Sequence, residues 1–187
     1  MIQSTLLLSA YDTTIYSSTN TNAITTMVFC NTATPDPADE SVRAVSLEVH
    51  LIKSGKAKFA SNTIIKNLNI PAGETLFFDT ERVVLDNGDS ILATATGTNR
   101  QISITGVSQA AQAVVTAVGH NLEAGNYISI ASVGGMTNLN GNTYQVQTVL
   151  TTDTFTINVN STGFPAYTSG GTVDVGYLAA TISTLTV

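Results

Sequence analysis

The chain has 187 residues, a single cysteine, 11% charged residues and a formal net charge of −6. That length is enough to bury a core without disulfide or metal staples, and the lone Cys30 excludes an intrachain disulfide. The acidic balance speaks against nucleic-acid binding, which needs clustered Lys and Arg. Thr, Ser, Asn, Val and Ile stand where charges usually would, and Thr, Val and Ile favour extended backbone.

Period-two alternation dominates, and no long window carries the 3.6-residue period of an amphipathic helix. Short strands are expected at 4–9, 13–17, 23–31, 44–53, 63–68, 75–79, 82–85, 90–96 and 100–105. Residues 1–10 are too short and polar-ended to span a membrane. They also lack a basic leader with an apolar core and cleavage site, so the protein is expected to stay in a cytoplasm until assembly. Cys30, in the strand-like run 26–31, reads as a small buried hydrophobe.

Turn chemistry separates the strands. Pro35-Asp36-Pro37 breaks one connection, Pro71-Ala72-Gly73-Glu74 makes a tight turn, and Asp86-Asn87-Gly88-Asp89 supplies residues that tolerate positive φ. In the strand at 44–53, Val45, Leu47, Val49 and Leu51 share a core face. Ser46, Glu48 and His50 share a face that meets solvent or a neighbouring subunit, which makes His50 a surface residue.

A second module begins near residue 107. All seven basic residues precede residue 101, and beyond it the only charges are Glu123, Asp153 and Asp174. Short strands with Gly-rich links follow at 113–117, 127–130, 143–149, 154–158 and 172–175, a pattern that fits a compact barrel. Residues 177–187 read as one more strand, with the composition of the first hundred residues. The expected organisation is therefore a β-sandwich over 1–106 plus 176–187, with a small β-barrel inserted at 107–175. Insertions succeed at exposed loop tips whose ends lie close together. The fold class is all-β, a jelly-roll-like sandwich with an inserted barrel.

The stretch Gly134-Gly135-Met136-Thr137-Asn138-Leu139-Asn140-Gly141-Asn142-Thr143-Tyr144 resembles the small β-barrel module of ubiquitin-activating enzymes, their first catalytic-cysteine half-domain. It does so together with Ala113-Val114-Val115-Thr116, Gly119-His120-Asn121-Leu122 and the segment 164–171. Such modules recur in structural proteins of tailed bacteriophages, so the resemblance implies a virion protein. It carries no ubiquitin chemistry, because no cysteine lies in 107–175. The first hundred residues are similar to small phage β-sandwiches of head and tail accessory proteins, through Phe29-Cys30-Asn31-Thr32, the run 61–76 and the run 85–91.

Gly134-Gly135 is no phosphate loop, since no lysine follows Lys66; the glycines serve a turn. His120 sits just past a strand end, where an imidazole-to-backbone hydrogen bond explains it. The clusters Asp36-Pro37-Ala38-Asp39-Glu40 and Asp86-Asn87-Gly88-Asp89 lack calcium-loop spacing and read as a solvated loop and a hairpin turn. Tyr11, Tyr16, Phe164 and Tyr167 are the exposed aromatic candidates, able to stack on sugars or to anchor a subunit interface.

No catalytic, cofactor-binding or metal-binding residue is expected. The reading is a non-enzymatic bacteriophage virion structural protein, assembled in the host cytoplasm: a capsid decoration or cement subunit on the particle exterior. Its partners would be the major capsid protein or neck and tail proteins, and further copies of itself in a homo-oligomer, with no nucleic acid and no membrane. A neck, collar or tail component, or a host-glycan-binding module of a tail fibre, is the alternative.

Overall fold

The structure is a computed structural model that describes every residue except Asp39, Glu40, Val42, Thr80, Glu81, Arg82, Thr98 and Val187. The expected strand start at Arg82 and the end of the acidic run at Asp39 and Glu40 therefore lie outside the described residues. Alternation over short windows produces strands almost everywhere, broken by two single turns of 3-10 helix at Ala60–Asn62 and Thr137–Leu139. The chain divides into two compact units, Met1–Thr98 with Gly176–Val187, and Asn99–Val175.

The first unit contains β1 (Ile2–Leu7), β2 (Asp12–Ser17), β3 (Asn22–Asn31), β4 (Val45–Ile52), β5 (Thr63–Ile70), β6 (Thr75–Phe78), β7 (Val83–Leu85) and β8 (Ser90–Gly97). The second contains β9 (Arg100–Ser103), β10 (Gly106–Val107), β11 (Val114–Thr116), β12 (Tyr127–Ala131), β13 (Asn142–Val149), β14 (Thr154–Ile157) and β15 (Thr172–Val175), after which β16 (Leu178–Thr186) belongs to the first.

In the first unit one sheet runs β1-β16-β3-β6, with β7 paired to β3 alongside β6, and the other runs β2-β8-β4-β5. All these ladders are antiparallel. The inner faces meet in one core that includes Leu7, Ile15, Met27, Phe29, Leu47 and Ile91. This is a β-sandwich, in which side chains of two facing sheets interdigitate.

Two positions depart from simple alternation. A bulge in β2 shifts the register between Thr14 and Tyr16, so Ile15 and Tyr16 are both buried, at 1% and 2% exposure. Tyr16 is thus a core residue, not an exposed aromatic. On β4 the core-facing set is as alternation predicts, with Leu51 packed against the core. His50 faces the other way yet is only 2% exposed, because the segment leading to the 3-10 turn at Ala60–Asn62 folds over it and Asn62 bonds its ring. It is not a surface residue.

The second unit is a seven-stranded antiparallel sheet in the order β10-β11-β14-β13-β12-β15-β9. No ladder joins its terminal strands, so it is not a closed barrel. The two ends are instead successive pieces of one segment: between them the Ile104 N–H donates to the Gly171 carbonyl and the Thr105 N–H to the Thr116 carbonyl, each at 2.9 Å. β13 performs the matching switch at the other side, pairing with β12 through Asn142–Gln145 and with β14 through Val146–Val149. The strand expected at 100–105 consequently pairs with β15 in this unit, not with the sandwich. Ile128, Ile130, Phe155, Ile157, Val173 and Val175 are wholly buried and form the interior.

Candidate interaction surface

The two outer faces of the sandwich differ in chemistry. The strands β1, β16, β3, β6 and β7 contain no Asp, Glu, Lys, Arg or His at all. Their outward positions line up by register. Ser4, Thr181, Val28 and Phe77 form one row across the sheet, Ile2, Ser183 and Thr26 a second, and Leu185, Ala23 and Val84 a third. Ile2, Phe77, Val84 and Leu185 are 72%, 64%, 58% and 63% exposed. Large apolar side chains thus ring a centre of small and hydroxyl-bearing ones, and charges begin at the strand ends, with Glu74 and Asp79 flanking β6. Exposed large apolar side chains grouped on one charge-free sheet face are a feature of interaction surfaces.

The opposite face, over β2-β8-β4-β5, is closed by a polar network. The Lys58 ammonium donates to Asp12 Oδ1 and to the Thr94 hydroxyl, each at 2.9 Å, and the Thr94 hydroxyl also donates to Asp12. Burial alone would push the Asp12 carboxyl up, but the Thr94 and Lys58 hydrogen bonds outweigh it and hold it below its ordinary value. Glu48 Oε1 accepts from Lys66 Nζ at 2.7 Å and lies 2.8 Å from His50 Nε2. Led by the Lys66 bond, these contacts lower the Glu48 carboxyl as well. On the far side of the ring, His50 Nδ1 lies 2.9 Å from Asn62 Oδ1 and 3.2 Å from the Thr63 hydroxyl. Asn62 is itself fixed by donating to the Ala57 carbonyl and accepting from the Phe59 N–H. The ring of His50 is therefore held by Glu48 of its own strand on one side and ties down the covering segment through Asn62 on the other.

At one end of the sandwich the run Asp86-Asn87-Gly88-Asp89 is a turn clamp. Asp89, 6% exposed, accepts the Ser54 N–H at 2.9 Å on one carboxylate oxygen and the Asp86 N–H at 3.3 Å on the other. The Ser54 bond leads in holding its carboxyl low. Those oxygens are taken up by N–H donors and by the Lys53 ammonium 3.7 Å away, and no cluster of three His, Cys, Asp or Glu suited to a metal occurs among the described residues. Cys30 lies half-buried on the outward row of β3, not in the core. Near the β5 and β6 edges an open groove of about 460 Å³ runs between Pro35, Leu68, Ile70 and Leu76.

In the second unit the Gly134–Tyr144 stretch does structural work. Met136 and Leu139 are wholly buried. Asn140 mimics a strand partner, accepting the Val133 N–H at 2.8 Å and donating to the Val133 carbonyl at 3.0 Å. The Tyr144 hydroxyl donates to the Leu139 carbonyl at 3.2 Å, and burial raises its phenol above the ordinary value. Gly135, at φ +76°, passes so close to the Ala166 carbonyl that a Cβ would sit 2.1 Å from it.

His120, 1% exposed, bridges two turns. Its Nδ1 accepts the Leu122 N–H at 3.0 Å, so Nε2 carries the proton and donates to the Thr151 carbonyl at 3.1 Å. Asp153 completes the lock by accepting the Gly119 N–H at 2.9 Å. Residues 110–175 match the ubiquitin-activating enzyme E1 FCCH domain family. The match covers about a third of the chain and takes in the Gly134–Tyr144 stretch, both locked turns and β11 to β15. No curated protein matches the chain.

The four aromatic candidates fall two in each unit. Tyr16 is in the sandwich core, Tyr11 is half-buried at the bend between β1 and β2, and Phe164 and Tyr167 are half-buried in the loop of the FCCH-like unit between β14 and β15. The Tyr167 hydroxyl is engaged with the Ile104 and Gly170 carbonyls at 3.1 Å, and the Phe164 carbonyl accepts Gln109 Nε2 at 2.6 Å. These contacts order the loop. The residues that do form a surface, Ile2, Phe77, Val84 and Leu185, went unmarked in the sequence. Their signal was apolar residues out of phase with the core: Phe77 between Leu76 and Phe78, and Leu185 beside Thr184.

Proposed function

We propose that this chain is a bacteriophage virion structural protein without enzymatic activity, a capsid decoration subunit on the exterior of the particle. The observation that carries the reading is the uncharged, partly apolar outer face of the β1-β16-β3-β6 sheet. A face of that kind suits burial in an assembly. Two further observations support it. Both histidines are committed to holding backbone and covering segments in place, leaving neither poised as a general base. The FCCH-like unit spends its family signature on packing and turns, which suits a module used as a building block.

Quantitative mass spectrometry of gradient-purified particles tests the proposal. The chain should co-purify at a fixed ratio to the major capsid protein, and its absence from intact particles would sink the assignment. A neck, collar or tail position would appear as a ratio far below that of the capsid protein.

A host-glycan-binding role is favoured by one observation. Thr143, Ser129, Asp174 and Gln101 stand in register across β13, β12, β15 and β9, and Asp174 Oδ1 is buried without a hydrogen-bond partner. Sugar hydroxyls would suit that polar row. A glycan array of the whole chain without hits removes this reading.

A further inference from the structure

We propose that the uncharged outer face of the β1-β16-β3-β6 sheet is the contact between two copies of this chain, stacked face to face. The inference deepens the assembly role and rests on the same face, but it is read on purified protein and so stands or falls apart from the particle experiment.

Three observations select a second copy as the occupant. The first is electrostatic. The chain carries a net charge of −6, so most of its surface repels itself, whereas β1, β16, β3, β6 and β7 hold no ionisable side chain except Cys30. Along these five strands two copies of the face meet without like side-chain charges opposed. A strongly charged partner would find nothing there to pair with, and its own charges would be desolvated without compensation.

The second is relief. The middle of the face is made of Ala23, Thr26, Val28, Thr181 and Ser183, small or β-branched side chains that permit the sheet spacing of about 10 Å seen in stacked sheets. The large side chains Ile2, Phe77, Val84 and Leu185 stand toward its margins, where they supply apolar contacts around that flat centre.

The third is area. The face is four strands wide at most points, because β6 and β7 share one side of β3. At about 4.8 Å between strands and about 3.3 Å per residue along β3 and β16, it measures on the order of 500 Å². A symmetric pair would bury about twice that, close to the roughly 1,000 Å² at which specific association begins. The expected complex is a reversible dimer of modest affinity, reinforced when many copies sit side by side.

Sedimentation velocity of the full chain over a wide concentration range, in reducing buffer so that Cys30 cannot crosslink, tests this. The wild type should pass from monomer to dimer. Phe77→Glu and Leu185→Glu, at side chains that are mostly solvent-exposed in the monomer, should each weaken the dimer about ten-fold or more while leaving the thermal midpoint of the monomer unchanged. Val118→Glu, at a residue 66% exposed on the FCCH-like unit, should leave association as it was. A wild type that stays monomeric throughout overturns the proposal. So does a dimer indifferent to both face substitutions, or one that Val118→Glu dissociates equally.

Discussion

On the sandwich's polar face Glu48 accepts from the Lys66 ammonium and lies against the ring of His50. With Asp12 and Asp89 it is one of three carboxylates whose folded-state protonation is displaced downward. The ordinary values are 3.8 for the aspartates and 4.5 for the glutamate. A depressed carboxyl stabilises the fold above its ordinary value, and that contribution is lost as pH falls through the lower folded value. The sandwich should therefore lose stability on acidification from about pH 5 downward. Glu48→Gln should lower stability by about 1–2 kcal/mol at neutral pH. Its thermal midpoint should converge on that of the wild type as the pH is lowered, since the wild type forfeits the same charge. Parallel curves across the whole range would show that the carboxylate's charge is not what stabilises the fold at this position.

The FCCH-like unit provides the sharpest case at the scale of elements. Gly135 and Gly141 flank the 3-10 turn Thr137–Leu139, at φ +76° and +74°. They share a left-handed backbone that costs other residues about 1–2 kcal/mol, but only Gly135 is hemmed in. A Cβ there would also meet Thr168 Cγ2 at 2.8 Å, while one on Gly141 meets nothing within 4 Å. Gly141→Ala should cost about 1 kcal/mol and Gly135→Ala clearly more, about 3 kcal/mol, by chemical denaturation. Equal costs would mean that backbone strain alone is at issue. The glycines, the turns and most strands are legible in the sequence because φ preference and period-two alternation are local properties. What was not legible is non-local. The β2 bulge that turns Tyr16 inward, the segment that covers His50, and the pairing of β9 with β15 all depend on where another part of the chain lies. The uncharged face needed the register of five strands before its rows appeared.

For the whole molecule, the division into units rests on where the sandwich leaves off and resumes. Gly97 exchanges hydrogen bonds with Ser9, its carbonyl accepting the hydroxyl at 2.7 Å and its N–H donating back at 3.0 Å. Gly176 is pressed against Leu7 and Leu8, so tightly that a Cβ would collide with the Leu7 carbonyl. Both ends of the gap therefore abut one short stretch of the sandwich, and a short Gly-Ser linker in place of 98–175 should leave a cooperatively unfolding β-protein by circular dichroism. A chain so shortened that fails to fold would show that the sandwich depends on the second unit.

Assembly through the uncharged sheet face is measured most directly by a cryo-EM reconstruction of intact particles at side-chain resolution. Phe77, Val84 and Leu185 should be found buried against a second copy of the chain on the particle exterior, with Asp12, Lys58 and Lys66 left toward solvent. A reconstruction in which those three apolar side chains face solvent while the Asp12–Lys58 face makes the contact would contradict it.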